Sequence, residues 1–285
     1  MSLTTPKILE SLLTQPVAIL GGGVSGAGVC SVLADLGVGS VIYDQKSVAF
    51  TAKAARAHRL VVFSPGFPPE HPWLTLARAA GAECRGELDF ASLFWRGSVV
   101  AVTGTNGKTT VTEFITHALK TIGLQAQATG NVGHSFAQLV AETAGGTTES
   151  IAVCEVSSFQ AETMKDFHAD ATLWTNFAED HLERHPTLET YFGAKWNLIV
   201  RTVAKGGQHR RIGKRTSDNS RRSSVFLGSS VQRFAQKFDR PLPEGSVVDT
   251  EFQPADARLA GTVFADYPQR ENFLLVAAWW TSVGL

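Results

Sequence analysis

Val99-Val100-Ala101-Val102-Thr103-Gly104-Thr105-Asn106-Gly107-Lys108-Thr109-Thr110 decides how this chain is read. Four apolar residues lead into a Gly-rich turn. The turn runs into Val111 to Ile122, where apolar residues recur at i, i+3 and i+4 as on one face of a helix. A strand, a Gly-rich turn and a helix in that order make a phosphate-binding P-loop. Its backbone N–H groups cradle phosphate, Lys108 would neutralise the β- and γ-phosphate oxygens, and the Thr109 hydroxyl would reach Mg²⁺. The residues expected to meet a nucleotide are therefore Gly104, Thr105, Asn106, Gly107, Lys108, Thr109 and Thr110. The spacing is a variant, Gly104-x-x-Gly107-Lys108-Thr109, because neither Val102 nor Thr103 supplies the first Gly of the common pattern. A plain Gly turn beside a surface lysine is the alternative. A nucleotide site also needs a carboxylate for its metal, and Glu155, after the apolar run Ile151 to Cys154, is placed to supply one; it could equally be an N-cap or surface group.

Upstream the same grammar occurs once more. Val17-Ala18-Ile19-Leu20 reads as a buried strand, and Gly21, Gly23 and Gly26 follow it as G-x-G-x-x-G before a helical stretch. Asp44 closes the next strand, Val41-Ile42-Tyr43, about 20 residues on, where an acidic residue binds a ribose hydroxyl. This turn reads phosphates, so both NAD and a nucleotide-sugar diphosphate satisfy it. Leu60 to Phe63 and Ala171 to Trp174 are further buried strands. Alternation of strands and helices predicts an α/β protein with parallel sheets. Two Gly-rich turns predict two sheets: a Rossmann-like domain over residues 1–96 and a P-loop domain over 97–285, divided near Arg96-Gly97.

The rest of the composition narrows the class. The 285 residues suggest about two domains. With 44% hydrophobic and 18% charged residues there is material for packed cores, not for a disordered chain. Lys plus Arg and Asp plus Glu both number 26, and this balance argues against a general polyanion binder. The charge is nonetheless uneven: 201–240 holds eleven Lys/Arg against two Asp/Glu. Within it, Gly206 to Ser224 reads as a surface insertion with the composition of a disordered loop. A nucleic-acid surface there is disfavoured, since regularly interleaved aromatics are lacking. Apolar runs are too short for a membrane helix, and residues 1–16 show no secretory pattern. Cys30, Cys84 and Cys154 fit neither a metal spacing nor a disulfide framework, so a cytoplasmic protein is expected.

A longer set of motifs carries a resemblance. Thr103 to Thr110 is followed by Gly130-Asn131-Val132-Gly133, then Glu155-Val156-Ser157-Ser158-Phe159-Gln160, then Asn176-Phe177-Ala178-Glu179-Asp180-His181-Leu182-Glu183-Arg184-His185, then Lys195. This ordered set, over roughly residues 15 to 200, resembles the Mur ligase family. Asn106 and the Glu155 to Gln160 segment are similar to the family's D-glutamate-adding branch, whereas the alanine-adding branch usually has His in the loop. A fainter echo returns at Gln269-Arg270-Glu271-Asn272-Phe273. Glu183 stands where the family often has Asp, and the Asn-Ala-Asp-Asp pattern common after the basic segment is missing. Family members also carry a third, C-terminal domain, and Leu285 falls about where it would begin. The expectation is a form without that domain, which binds substrates better than it turns them over.

The resemblance implies an ATP-dependent ligase of peptidoglycan precursor synthesis that joins D-glutamate to UDP-N-acetylmuramoyl-L-alanine through an acyl phosphate. It implies ATP and Mg²⁺ as cofactors, small-molecule substrates as the partners, no nucleic acid or membrane, and a monomer. By the same resemblance Lys108, His181 and Lys195 are catalytic, and Thr109, Glu155, His181 and Lys195 serve the metals, Lys195 as a carbamate. Gly23, Val24, Ser25, Gly26, Asp44, Ser64, Asn131 and Gln160 would touch the UDP-substrate. From its pattern alone, Lys195 would be an ordinary lysine of the helix Tyr191 to Val200, and His181 a structural or capping histidine. Competing readings are a nicotinamide-dependent oxidoreductase, which leaves Lys108, Glu155 and His181 without a role; a sister ligase for another amino acid; a folate-polyglutamylating ligase, which normally begins at the P-loop domain; and a non-catalytic nucleotide-binding remnant.

Overall fold

A computed structural model describes residues 2–203, 224–249 and 259–285; the basic piece 206–223 lies outside the described residues. The chain forms two compact units. The first comprises Met1–Gly97, Thr129–Thr147 and Glu162–Phe167, the second Ser98–Ala128, Thr148–Ala161 and His168–Leu285.

The first unit is built on a parallel sheet of β1 (Val17–Leu20), β2 (Ser40–Tyr43), β3 (Leu60–Phe63) and β4 (Glu83–Gly86), in the order β2-β1-β3-β4. Both β1 and β3 are wholly buried, which is why each is a run of aliphatic residues without a polar alternate. One face of the sheet, with Ala18, Leu20, Val61 and Phe63, packs on Leu74 and Ala77 of α3 (Pro72–Ala79). α1 (Val24–Asp35) follows the first Gly-rich turn, α2 (Ala52–Ala55) precedes β3, and α4 (Glu87–Ser92) follows β4. Since β1 lies between β2 and β3, the strand order reverses at β1, and the turn at its C-terminal end occupies the position where α/β sheets bind ligands.

In the second unit β5 (Ser98–Thr103) leads through the P-loop stretch to α5 (Lys108–Thr121) and β6 (Gln125–Gly130). The remaining strands are β7 (Ser150–Glu155), β8 (Ala171–Trp174), β9 (Val225–Leu227) and β10 (Val247–Val248). The order is β10-β9-β8-β5-β7-β6. Between β7 and β8 lies α7 (Ser158–Ala161), and α8 (Leu188–Val203), α9 (Ser229–Lys237) and α10 (Gln269–Ser282) complete the unit. One core joins Val100 and Val102 of β5 to Val111, Ile115 and Leu119 of α5 and Leu275 and Trp279 of α10. A second, aromatic core joins Trp174, Phe177, Tyr191, Phe192 and Trp196. The sheet is thus covered on both faces, and all six β5 residues are buried. The reversal of strand order falls beside β5, so the ends of β5, β7 and β8 meet at the switch point.

α6 (Phe136–Glu142), although it follows β6 in sequence, belongs to the first unit and packs on α1 and α4. Among the described residues no helix is long and apolar enough to cross a membrane.

Candidate nucleotide and substrate sites

The loop after β5 is held by the end of β8. Gly104 has φ +154°, and a Cβ there would overlap Thr175 Oγ1, so glycine is required by both conformation and space. The Thr105 N–H donates to Asn176 O (3.0 Å) and the Asn106 N–H to Asn176 Oδ1 (2.9 Å). Asn176 Nδ2 and Thr175 Oγ1 both donate to Asn106 O, at 3.0 and 2.6 Å. The Thr105 hydroxyl is paired with both backbone groups of Ala178, at 3.1 and 3.2 Å. Two N–H groups expected to face phosphate are therefore engaged by Asn176. The part of the loop left to meet an anion is Gly107 to Thr110, where α5 begins without any side-chain cap. A helix N-terminus presents N–H groups and a positive dipole end. Gly107 has Asn272 of α10 directly against it.

Two lysines converge behind the loop. Lys108 Nζ donates to Gly104 O (3.1 Å) and Thr105 O (2.9 Å). Lys195, on α8, is buried, and its Nζ donates to the same Gly104 O at 2.7 Å. Burial pulls the Lys108 ammonium below its ordinary range, opposed by Glu155 and Asp180. Lys195 is pulled down to about 7, chiefly by burial and then by Lys108, again against Asp180 and Glu155. A lysine with such a value supplies a neutral, nucleophilic amine near neutral pH.

Glu155 ends β7 and is buried, and its Oε2 accepts a hydrogen bond from Thr109 Oγ1 at 2.8 Å. Mg²⁺ takes hard oxygen ligands at about 2.0–2.1 Å in an octahedron, which places neighbouring ligand oxygens about 2.9 Å apart. This hydroxyl–carboxylate pair has that spacing and that chemistry, so the two residues fit a P-loop magnesium. Among the described residues no three His, Cys, Asp or Glu side chains gather into a metal site.

His181 adopts a left-handed backbone (φ +53°), uncommon outside glycine. Its Nδ1 lies 3.2 Å from Glu183 Oε1 and its Nε2 3.6 Å from Asp180 Oδ2. The ring packs against Phe159 and Tyr191. His185 beside it is buried, and burial, with the nearby Arg184, pushes it down to about 4. It is a neutral imidazole at physiological pH. Gln160 uses its side-chain carbonyl locally, accepting from the Ser157 N–H (2.9 Å) and hydroxyl (3.0 Å).

In the first unit Gly26 packs so tightly on the strand end that a Cβ would strike Gly21 O. Gly23, which opens α1, has open space around it. Asp44 Oδ2 accepts from the Gly22 N–H (3.1 Å) and Oδ1 from the Lys46 N–H (3.0 Å). These bonds, Lys46 first, hold its carboxyl below the ordinary range. Ser64, at the end of β3, lies against Gly21. Beyond it Phe67 and Trp73 stack at 5.9 Å with His71 at their edge. Asn131 is exposed in the loop before α6, which Gly130 N–H and Thr129 Oγ1 close by donating to His134 O at 3.0 Å each.

The structure thus brings Thr109 to Glu155 and Lys108 to Lys195 in one unit, and Gly23 to Gly26, Asp44 and Ser64 in the other. The sequence reading missed Thr175 and Asn176, which shape the P-loop, and Glu87, described below. Asn176 stood in a quoted motif, but nothing in its spacing showed that it answers Asn106.

A P-loop sheet in one unit and a G-x-G-x-x-G sheet in the other define an α/β protein with two Gly-rich strand-to-helix turns. Residues 102–214 match the Mur ligase middle domain. The chain is 32% identical over 262 residues to the UDP-N-acetylmuramoylalanine–D-glutamate ligase of Alkaliphilus metalliredigens, covering 84% of this chain and 56% of that protein. It is 41% identical over 162 residues to the ligase of the same name from Gloeobacter violaceus, covering 55% and 36%. The chain spans about half the length of the first of these relatives. Among solved structures, the UDP-N-acetylmuramate:L-alanyl-gamma-D-glutamyl-meso-diaminopimelate ligase from Neisseria meningitides superimposes with a TM-score of 0.59 at 15% identity, over 95% of this chain and 94% of that one. At that identity the likeness is one of fold.

Proposed function

We propose that this chain supplies the nucleotide-sugar and ATP sites of a ligase that adds D-glutamate to UDP-N-acetylmuramoyl-L-alanine. The observation that carries the reading is the Thr109–Glu155 pair beside Lys108 at the end of β5, together with relatives named for that reaction. A carboxylate is a poor electrophile, and ATP phosphorylates it. The substrate carboxylate oxygen bonds to the γ-phosphorus as the bond to ADP breaks. The amine of D-glutamate then attacks the acyl carbon, loses a proton, and phosphate leaves. Two anions meet in the first step, so positive charge has to be held in place beforehand.

Lys108 gives up its bonds to Gly104 O and Thr105 O in favour of the transferring phosphoryl group, while the N–H groups of 107–110 hold the phosphate chain. Thr109 and Glu155 would hold Mg²⁺, which supplies charge neutralisation between phosphate oxygens. Lys195, as a carbamate, would offer an anionic oxygen where an ammonium would repel the metal, and His181 would stand near a second ion. Gly104, Thr105 and Asn106 shape the loop. The Gly23-Val24-Ser25-Gly26 turn takes the diphosphate, Asp44 and Ser64 the uridine side, and Asn131 and Gln160 the muramoyl-alanine end. Cytoplasmic action as a monomer belongs to the same proposal. The test is ATP consumption with Mg²⁺ and UDP-N-acetylmuramoyl-L-alanine. Turnover weaker than substrate binding is expected, with what stimulation there is coming from D-glutamate; stimulation by another amino acid in its place would move the protein to a sister activity.

A further inference from the structure

The first unit contains a fully buried carboxyl for which the proposed reaction has no use. Glu87 is the first residue of α4 and is 2% exposed. Its Oε1 accepts the Ala137 N–H at 2.7 Å, and the Ser135 side chain is its other hydrogen-bonding neighbour. Ala137 lies in the first turn of α6, where N–H groups have no partner within the helix. Ser135, the N-cap, satisfies another of them by accepting from Gln138 N–H at 3.2 Å. α1 closes on the same turn: a Cβ at Gly28 would lie 2.6 Å from Ser135 Oγ and 2.7 Å from Gln138 N. The start of α6 is therefore held by both Gly28 and Glu87. The loop Gly130-Asn131-Val132-Gly133 hangs directly from that start, and α1 itself springs from the diphosphate turn.

We propose that Glu87 is a positioning residue that fixes the Asn131 loop on the body carrying the Gly23–Gly26 turn, so that one rigid unit reads the diphosphate and the sugar–amino-acid end of a nucleotide-sugar substrate together. The inference rests on the proposed function and deepens it. A carboxyl in this place is costly, since an isolated buried charge is strongly disfavoured. An apolar side chain would fill the space at less cost but could not accept the Ala137 N–H. Burial pushes the Glu87 carboxyl up to about 7, opposed by the Ala137 N–H and Ser135. The hydrogen bond, rather than a permanent charge, is then what the position requires, and glutamine should replace it.

The experiment is calorimetric titration of the full chain with UDP and, separately, with UDP-N-acetylmuramoyl-L-alanine. Glu87→Ala should bind the full substrate at least tenfold more weakly yet bind UDP within about twofold of the unaltered protein. Glu87→Gln should restore full-substrate binding to within about twofold. Equal full-substrate affinity in Glu87→Ala and the unaltered protein overturns the inference, as does failure of Glu87→Gln to restore it. Should Glu87→Ala lose UDP as well, Gly28→Ala decides, because it displaces the same turn with Glu87 intact: selective loss of the full substrate supports the inference and unchanged affinity overturns it. If the unaltered protein binds neither compound, the functional reading falls and the inference with it; if it binds both and the variants behave alike, the inference alone falls.

Discussion

Glu87 holds its proton more tightly in the folded chain, near 7, than a free glutamate does, near about 4.3. The folded state therefore binds more protons between those values, and this group weakens stability progressively as pH rises from about 4.3 to about 7, with the full cost present above. The shift corresponds to at most about 4 kcal/mol. Glu87→Gln, which mimics the protonated form, should match the unaltered protein in urea denaturation at about pH 4 and exceed it by up to about 4 kcal/mol at pH 8. A difference independent of pH would show that the carboxyl is not titrating in place. Lys195 is displaced in the opposite sense for the same reason, burial, reinforced by Lys108. Its neutral amine should react with CO₂ at pH 8. A carbamate carbon signal is expected with ¹³C-bicarbonate and should vanish in Lys195→Arg; a signal that survives that substitution comes from another lysine.

At the scale of elements, the P-loop is a loop on a template. Its first half borrows shape from Thr175 and Asn176 at the end of β8, and its second half is the start of α5. Asn176→Ala would remove both side-chain bonds to the Asn106 backbone, each worth about 0.5–1.5 kcal/mol net. About a tenfold loss of ATP affinity by calorimetry, with UDP affinity unchanged, is the expected result; unchanged ATP affinity would mean the loop keeps its shape unaided. This dependence was not legible in the sequence, because 70 residues separate Asn106 from Asn176 and only the parallel pairing of β5 with β8 unites them. The strands that were legible, such as β1, β3, β5 and β7, are aliphatic runs buried on both faces. β4 and β6 were not, since Glu83-Cys84-Arg85-Gly86 and Gln125 to Gly130 carry polar residues in their runs. Buried Arg85 finds partners in buried Asp89 and half-buried Asp166, which no local pattern announces. The membership of α6 in the first unit was equally hidden, resting on Gly28 and Glu87.

For the whole molecule, each unit is expected to take one nucleotide. Gly23 tests this cleanly, because nothing lies within 4 Å of a Cβ placed there. Gly23→Leu should spare the fold while blocking the diphosphate turn, and Asp44→Ala should remove the acceptor of the Gly22 N–H. Both should weaken UDP-N-acetylmuramoyl-L-alanine binding at least tenfold and leave ATP binding unchanged; a parallel loss of ATP would contradict separate sites. The most direct measurement is calorimetric titration of the unaltered protein with UDP-N-acetylmuramoyl-L-alanine, with ATP and Mg²⁺, and with NAD. Saturable binding of the first two, and none of NAD, is the expected result. Binding of NAD without binding of any uridine nucleotide would contradict the assignment of the first unit, and with it the central claim.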